Sequence, residues 1–259
     1  MKYKIFGISG LPRTGSTLLT CLLNQNPSIH SENSSSLNGI ITHNNQLLHD
    51  QTVNLTRRID LIESLLEQLP DVYYTDVKKP IIFDKNRAWI MGENYPLFKK
   101  YVNPEGKIIV LYRNLVEIAK SFWYILLKSG YSYKDAYDFM TYNLQESSND
   151  GIFLSLSGVA YCKHNNTPNI MYLSYNELVN QTEESLNKIY DFCEIPRFQH
   201  DFDNIVNNYP DDDIFLGIPG MHDVRSKISV RDVSEFTLPK EFLFRSQELN
   251  KILELLNLG

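Results

Sequence analysis

Short apolar runs alternate along the chain with longer stretches in which apolar residues return every three or four positions. The first kind predicts strands buried on both faces, the second helices with one buried stripe. Residues 3–10, YKIFGISG, are the first such strand. A short loop follows, then a helix predicted over 16–25 that stops at Asn26, because a proline disfavours helix in the residue before it. Residues 28–32 predict a short second strand, and 33–36 a polar loop close to the first one. Leu55, Ile59, Ile62, Leu66 and Leu69 mark an amphipathic helix ended by Pro70. Residues 80–83 form a strand that delivers Asp84, Lys85, Asn86 and Arg87 at its end. Residues 107–112, KIIVLY, read as the central strand, closed by Arg113. Asn114 then caps a helix, Glu117 completes a capping-box-like pair, and Gly130 is its stop. Helices over 133–147 and 151–164, a strand over 169–173, a helix capped by Thr182 that runs through Cys193, and a final helix over 239–258 complete the pattern.

Strands alternating with helices, without repeat or linker, predict one three-layer α/β domain over 1–259, built on a mainly parallel sheet. Ligands of such sheets bind at the carboxyl ends of the strands, where Arg13, Lys85 and Arg113 would converge. Residues 209–237 break the pattern. They hold prolines, glycines, three consecutive aspartates and then Arg225, Lys227 and Arg231, and are expected to form a mobile functional loop. With 42% hydrophobic and 12% aromatic residues among 259, the chain can bury a sizeable core. A formal charge of −6 argues against a nucleic-acid partner, so any anionic ligand must be held by a few local cations. The three cysteines show no metal spacing and read as buried thiols of a reducing compartment. No run is long enough to span a membrane and the start is too short in apolar residues for a secretory signal, so a cytoplasmic location is expected.

Composition leaves the chemistry open; spacing narrows it. Gly10, four residues, Gly15 and then Ser16-Thr17 follow the phosphate-loop pattern except at the lysine, where Ser16 stands. Backbone N–H groups at the start of the following helix attract anions, and Arg13 is the loop's one cation. The loop suits a phosphate, though not obviously a nucleoside triphosphate. The strand over 107–112 ends in Arg113 where phosphate-loop hydrolases commonly place a metal-holding aspartate, and Ser121 lies on the next helix. An arginine at a strand end and a serine on that helix can clamp one phosphate by charge-assisted hydrogen bonds.

These two segments, GLPRTGSTLL and IVLYRNLVEIAKSFW, resemble the nucleotide-binding motifs of sulfotransferases that use 3′-phosphoadenosine 5′-phosphosulfate (PAPS). The resemblance is closer to bacterial and tyrosylprotein-type enzymes than to cytosolic small-molecule ones. It implies a P-loop NTPase-like sulfotransferase fold and transfer of a sulfuryl group to a hydroxyl or amine acceptor, leaving 3′-phosphoadenosine 5′-phosphate (PAP). On that resemblance Arg13, Thr14, Gly15, Ser16 and Thr17 hold the 5′ end, and Arg113 with Ser121 holds the 3′-phosphate. Tyr175, in a segment similar to the family's Tyr-Glu-Asp-Leu-like stretch, lies near the adenine. Arg225, Ser226 and Lys227 stand where the family folds a basic segment over the nucleotide, although the Arg-Lys-Gly signature is absent. Lys85 resembles the lysine that serves the bridging oxygen, and Glu32 the acceptor's general base, with His30 and His43 as alternatives. Asp84 reads as the partner of a cation. The acceptor, whether small molecule, sugar, lipid or peptide hydroxyl, and the oligomeric state stay open, as do a non-catalytic nucleotide-binding module and a divergent P-loop kinase.

Overall fold

The computed structural model describes residues 2–146, 151–229 and 235–259. Five strands form one sheet: β1 (Lys4–Gly10), β2 (Ile29–His30), β3 (Ile81–Lys85), β4 (Ile108–Tyr112) and β5 (Ile170–Ser174). Their order is β2-β3-β1-β4-β5 and every pairing is parallel. Hence β1, rather than β4, occupies the middle, with β4 internal beside it.

Alternate residues of each strand enter two separate cores. Ile5, Ile82, Ile108 and Val110 face one; Phe6, Ile8, Phe83, Ile109 and Leu111 face the other. On the first face pack α2 (Leu37–Gln46), α4 (Ile59–Tyr73), α5 (Asn94–Tyr101), α6 (Leu115–Lys128), α7 (Tyr133–Leu144), α8 (Ile152–His164) and α11 (Lys240–Leu255). On the second pack α1 (Ser16–Leu23), α9 (Tyr175–Asn180) and α10 (Thr182–Cys193). A five-residue helix, α3 (Gln51–Leu55), precedes α4. The result is an α/β architecture with helices on both sides of a parallel sheet, as strands apolar on both faces require.

Several boundaries differ from the sequence expectation. Leu55 ends α3 instead of opening α4, because Asp50 caps a separate turn by accepting from the Thr52 and Val53 N–H groups. Pro70 lies inside α4, which continues to Tyr73. It forfeits only its own N–H bond there, and its carbonyl still accepts from Tyr74, so the last turn survives. Thr182 sits just inside α10 and donates its hydroxyl to Leu178, so it does not cap. Asn114 does cap α6, but Glu117 turns to Arg113 at 2.8 Å instead of closing a capping box. Helix α7 is described to Leu144; Ser147, the expected end, and Arg231 lie outside the described residues.

Cys21, Cys162 and Cys193 are free and buried, and burial pushes the Cys21 thiol up to about 11. No helix among the described residues is long and apolar enough to cross a membrane.

Candidate active site

Parallel pairing brings the carboxyl ends of β1, β3 and β4 side by side. Ile8 lies opposite Lys85, and Gly10 opposite Leu111. At Gly10, with φ +121°, a Cβ would fall on the Leu111 carbonyl, so only glycine lets the chain turn off the sheet this tightly. The turn carries Arg13 in the left-handed region at φ 59° and reaches Gly15, which opens α1 with no side-chain cap. The first N–H groups of α1 therefore face the loop's hollow without a side-chain acceptor.

Above these strand ends opens a cavity of about 990 Å³. Its wall includes Arg13 to Thr17, Lys85, Arg87, Arg113, Ser121 and Tyr175, so both expected motifs meet in one space. The two are also bonded to each other. Arg13 donates through Nε to Ser121 Oγ at 3.2 Å, and Arg113 donates through Nη1 to the Arg13 carbonyl at 3.2 Å. The Arg113 guanidinium lies 3.9 Å from the Tyr175 ring centroid, a cation–π stack that fixes its plane. Gly15 permits this arrangement, since a Cβ there would come within 3.2 Å of both Tyr175 and Leu178. Thr14 is a structural member, buried with its hydroxyl on the Leu11 carbonyl.

Lys85 and Asp84 are neighbours in β3 and therefore point to opposite faces of the sheet. Lys85 turns toward α1 and donates to Thr17 Oγ1 at 3.0 Å. Burial pulls its ammonium down to about 8, with Asp211 opposing and Arg87 and Arg13 adding to the fall. Asp84 turns the other way and bonds no cation among the described residues, which corrects the sequence expectation. Its carboxylate accepts from Ser35 Oγ, Tyr74 OH and Trp89 Nε1, each at 2.6 Å. Asp84 thereby ties the 33–36 loop to the core beneath the site, and burial raises its carboxyl above the ordinary range despite those three donors.

The remaining expected residues are scattered. Arg225 and Lys227 line the cavity mouth but are exposed; Arg225 bonds Ser229 Oγ and Lys227 pairs with Asp203. Ser226 does not line the cavity, and its carbonyl accepts from the Ile205 N–H. Glu32, His30 and His43 also fall outside the lining. Glu32 instead accepts from His30 Nε2 at 3.1 Å, and the His30 ring packs on Tyr209. The sequence reading assigned no role to Arg87 or His222, yet both line the cavity.

The family model described as "Sulfotransferase domain" matches residues 5–210. The chain belongs to that family. No curated protein sequence matches it. Among solved structures, the sulfotransferase domain of the Synechococcus PCC 7002 olefin synthase aligns with TM-score 0.57 at 15% identity, covering 98% of this chain and 96% of that one. A sulfotransferase from Alicyclobacillus acidocaldarius gives 0.57 at 10% identity, covering 100% and 97%. A mouse sulfotransferase complexed with PAP gives 0.51 at 12% identity, covering 99% and 84%. Identities this low establish a shared fold. The sulfotransferase family thus accounts for the overall fold, while the roles of individual side chains rest on their geometry here.

Proposed function

We propose that the chain transfers a sulfuryl group from PAPS to a hydroxyl acceptor. The observation that carries this reading is the gathering of Arg13, Lys85, Arg87 and Arg113 on one cavity wall in a chain of net charge −6. Such a donor set fits an anion charged at two ends, and the uncapped start of α1 adds backbone donors at one of them. PAPS, when bound, supplies the transferable group and a phosphate leaving group. Arg13 and the 14–17 backbone would hold the 5′ end, with Lys85 balancing charge that grows on the bridging oxygen. Arg113 and the buried Ser121 would hold the 3′-phosphate, with Tyr175 beside the base. The aromatic and aliphatic wall residues Phe122, Phe139 and Leu154 favour an acceptor with an apolar body. A kinase reading is disfavoured by Ser16 at the lysine position and by Arg113 after β4.

PAP should therefore raise the melting temperature more than ATP–Mg²⁺. Binding only the native state adds about 2.7 kcal/mol at a hundredfold excess over Kd. A thermal scan in which ATP–Mg²⁺ protects better than PAP would falsify the sulfotransferase reading.

The two anion ends can be separated by calorimetric titration of Arg113→Ala. Charge-assisted hydrogen bonds contribute about 1.5–3 kcal/mol each, so affinity for PAP should fall about ten- to a hundredfold. Adenosine 5′-phosphosulfate, lacking the 3′-phosphate, should lose far less. Equal losses on both would make Arg113 a brace of the 5′ loop, through its bond to the Arg13 carbonyl, and remove it from 3′ recognition.

A further inference from the structure

We propose that His222, oriented by Asp213, is the general base that takes the acceptor's hydroxyl proton. This deepens the sulfuryl-transfer reading above and rests on it. Both residues lie beyond position 210, where the match to the family model stops, so the assignment comes from this chain's own geometry.

Asp213 holds His222 at two points. One carboxylate oxygen accepts the His222 backbone N–H at 2.8 Å, and the other accepts from ring Nδ1 at 2.6 Å. A proton kept on Nδ1 leaves the lone pair on Nε2, and no described residue hydrogen-bonds that nitrogen. The same logic orients histidine bases wherever a carboxylate backs them. The loop that carries the pair is built to keep it closed. The Ile218 N–H returns to the Asp213 carbonyl at 3.1 Å, Ile218 is buried in the core, and Ser129 on the α6 side donates to the Pro219 carbonyl at 3.0 Å.

His222 lines the same cavity, and its loop is tied to two of the cavity's cations. The carbonyl of Met221, adjacent to His222, accepts from Arg13 Nη1. Asp211, 3.4 Å from His222 Nδ1, accepts from Ser34 Oγ at 2.9 Å, and its charge acts on Lys85. Through Met221 and Asp211 the loop that carries His222 is thus linked to Arg13 and Lys85, the two cations assigned to the 5′ phosphosulfate. Glu32 has no comparable access, being outside the lining and bonded to His30.

In the step proposed, His222 Nε2 receives the acceptor's proton as its O–H bond breaks. The freed oxygen pair bonds to sulfur, and the electron pair of the sulfur–oxygen bond that breaks leaves on the 5′-phosphate. The imidazolium is offset by Asp213 and Asp211 and later returns its proton to water. The other charged residues lining the same cavity are Asp223, Arg225 and Lys227 on its own loop, Arg13 from the loop after β1, Lys85 and Arg87 from the end of β3, and Arg113 after β4.

Two measurements test this. The first is ¹⁵N NMR of the imidazoles, with His222 identified by the signal lost in His222→Gln. A neutral ring protonated on Nδ1 is expected, shifting toward a tautomer mixture in Asp213→Asn; a ring protonated on Nε2 overturns the proposal whatever the activity. The second follows PAP release from PAPS with water as acceptor across pH. His222→Gln should be slower by about 10²-fold or more, lose the acid limb of the profile, and bind PAP as the wild type does. Asp213→Asn, a positioning change, should displace the acid limb while keeping PAP affinity. Unchanged PAP release and acid limb in His222→Gln would overturn the assignment, and a loss confined to Glu32→Gln would give the role to Glu32. Failure of the wild type to bind PAP would instead count against the sulfotransferase reading itself.

Discussion

Lys85→Ala should lower sulfuryl-transfer turnover by about 10²–10³-fold, the usual effect of removing one preorganised charge-stabilising donor. The effect is expected to be large because Lys85 is buried and held by Thr17, so its charge is little screened and already aimed. Lys85→Arg should recover little, since a planar fork cannot replace a compact ammonium in that space. A split of kcat from KM checks the role: loss in kcat with modest change in PAP affinity marks a charge used as the leaving group departs. The pH dependence has a definite sign. In the folded, unliganded chain the ammonium is pulled from 10.5 to about 8, so between these values the unfolded chain holds a proton the folded chain lacks. The lysine's contribution to stability is present above 10.5 and lost as pH falls through about 8. Anion affinity runs the other way and should weaken as pH rises through that point. A titration in which PAP binding tightens from pH 7 to 9 would exclude Lys85 as an anion ligand.

Asp84→Ala should be the most destabilising single change near the site, by about 3–5 kcal/mol, without altering any cavity cation. Three donors lose their acceptor, and each buried donor left unsatisfied costs about 1–3 kcal/mol; the Ser35 and Tyr74 hydroxyls can rotate to other partners. Trp89 cannot, because its indole N–H only donates. For a chain of this size the melting temperature should drop by roughly 10 °C. Asp84→Asn should be much milder. Its amide can keep the oxygen toward Trp89 and turn the NH₂ to the two hydroxyls, which can accept. The carboxyl's raised pKa adds a pH signature: the group's contribution is full below 3.8 and is lost as pH rises through the folded value. Melting curves of the three proteins across pH would show it, and an alanine variant as stable as the wild type would mean that Asp84 does not anchor the loop.

The elements that local sequence controls were legible. Apolar runs gave β1, β3, β4 and β5 within a residue or two, because a strand buried on both faces needs side chains that can do nothing else; the two-residue β2 falls inside the short strand expected over 28–32. Glycine spacing located the turn at Gly10 and Gly15, and strand ends located Lys85 and Arg113. What local sequence could not show was which face a polar residue takes once the sheet forms. Asp84 and Lys85 differ by one position, and the pleat alone sends one into the core and the other into the cavity. Glu117 sat at the right spacing for a cap, but a buried arginine four residues earlier was the stronger partner. His222 and Asp213 lie nine residues apart in an aperiodic loop, where no spacing rule pairs them; only the folded turn does. Helices α2 and α5 were missed because their polar residues interrupt the apolar period.

The bond between Glu117 and Arg113 carries a consequence for how the site lets an anion go. An anion arriving at Arg113 meets a guanidinium that already has an internal counter-ion at 2.8 Å, on a carboxylate that is 38% exposed and free to swing into water. Binding is then an exchange of one anion for another, and the net gain is smaller than the contact alone would give. On the proposed reading the same nucleotide end is held before and after transfer, so excess grip there would only delay departure of the spent carrier. A resident carboxylate that reclaims the arginine as the product leaves shortens that delay.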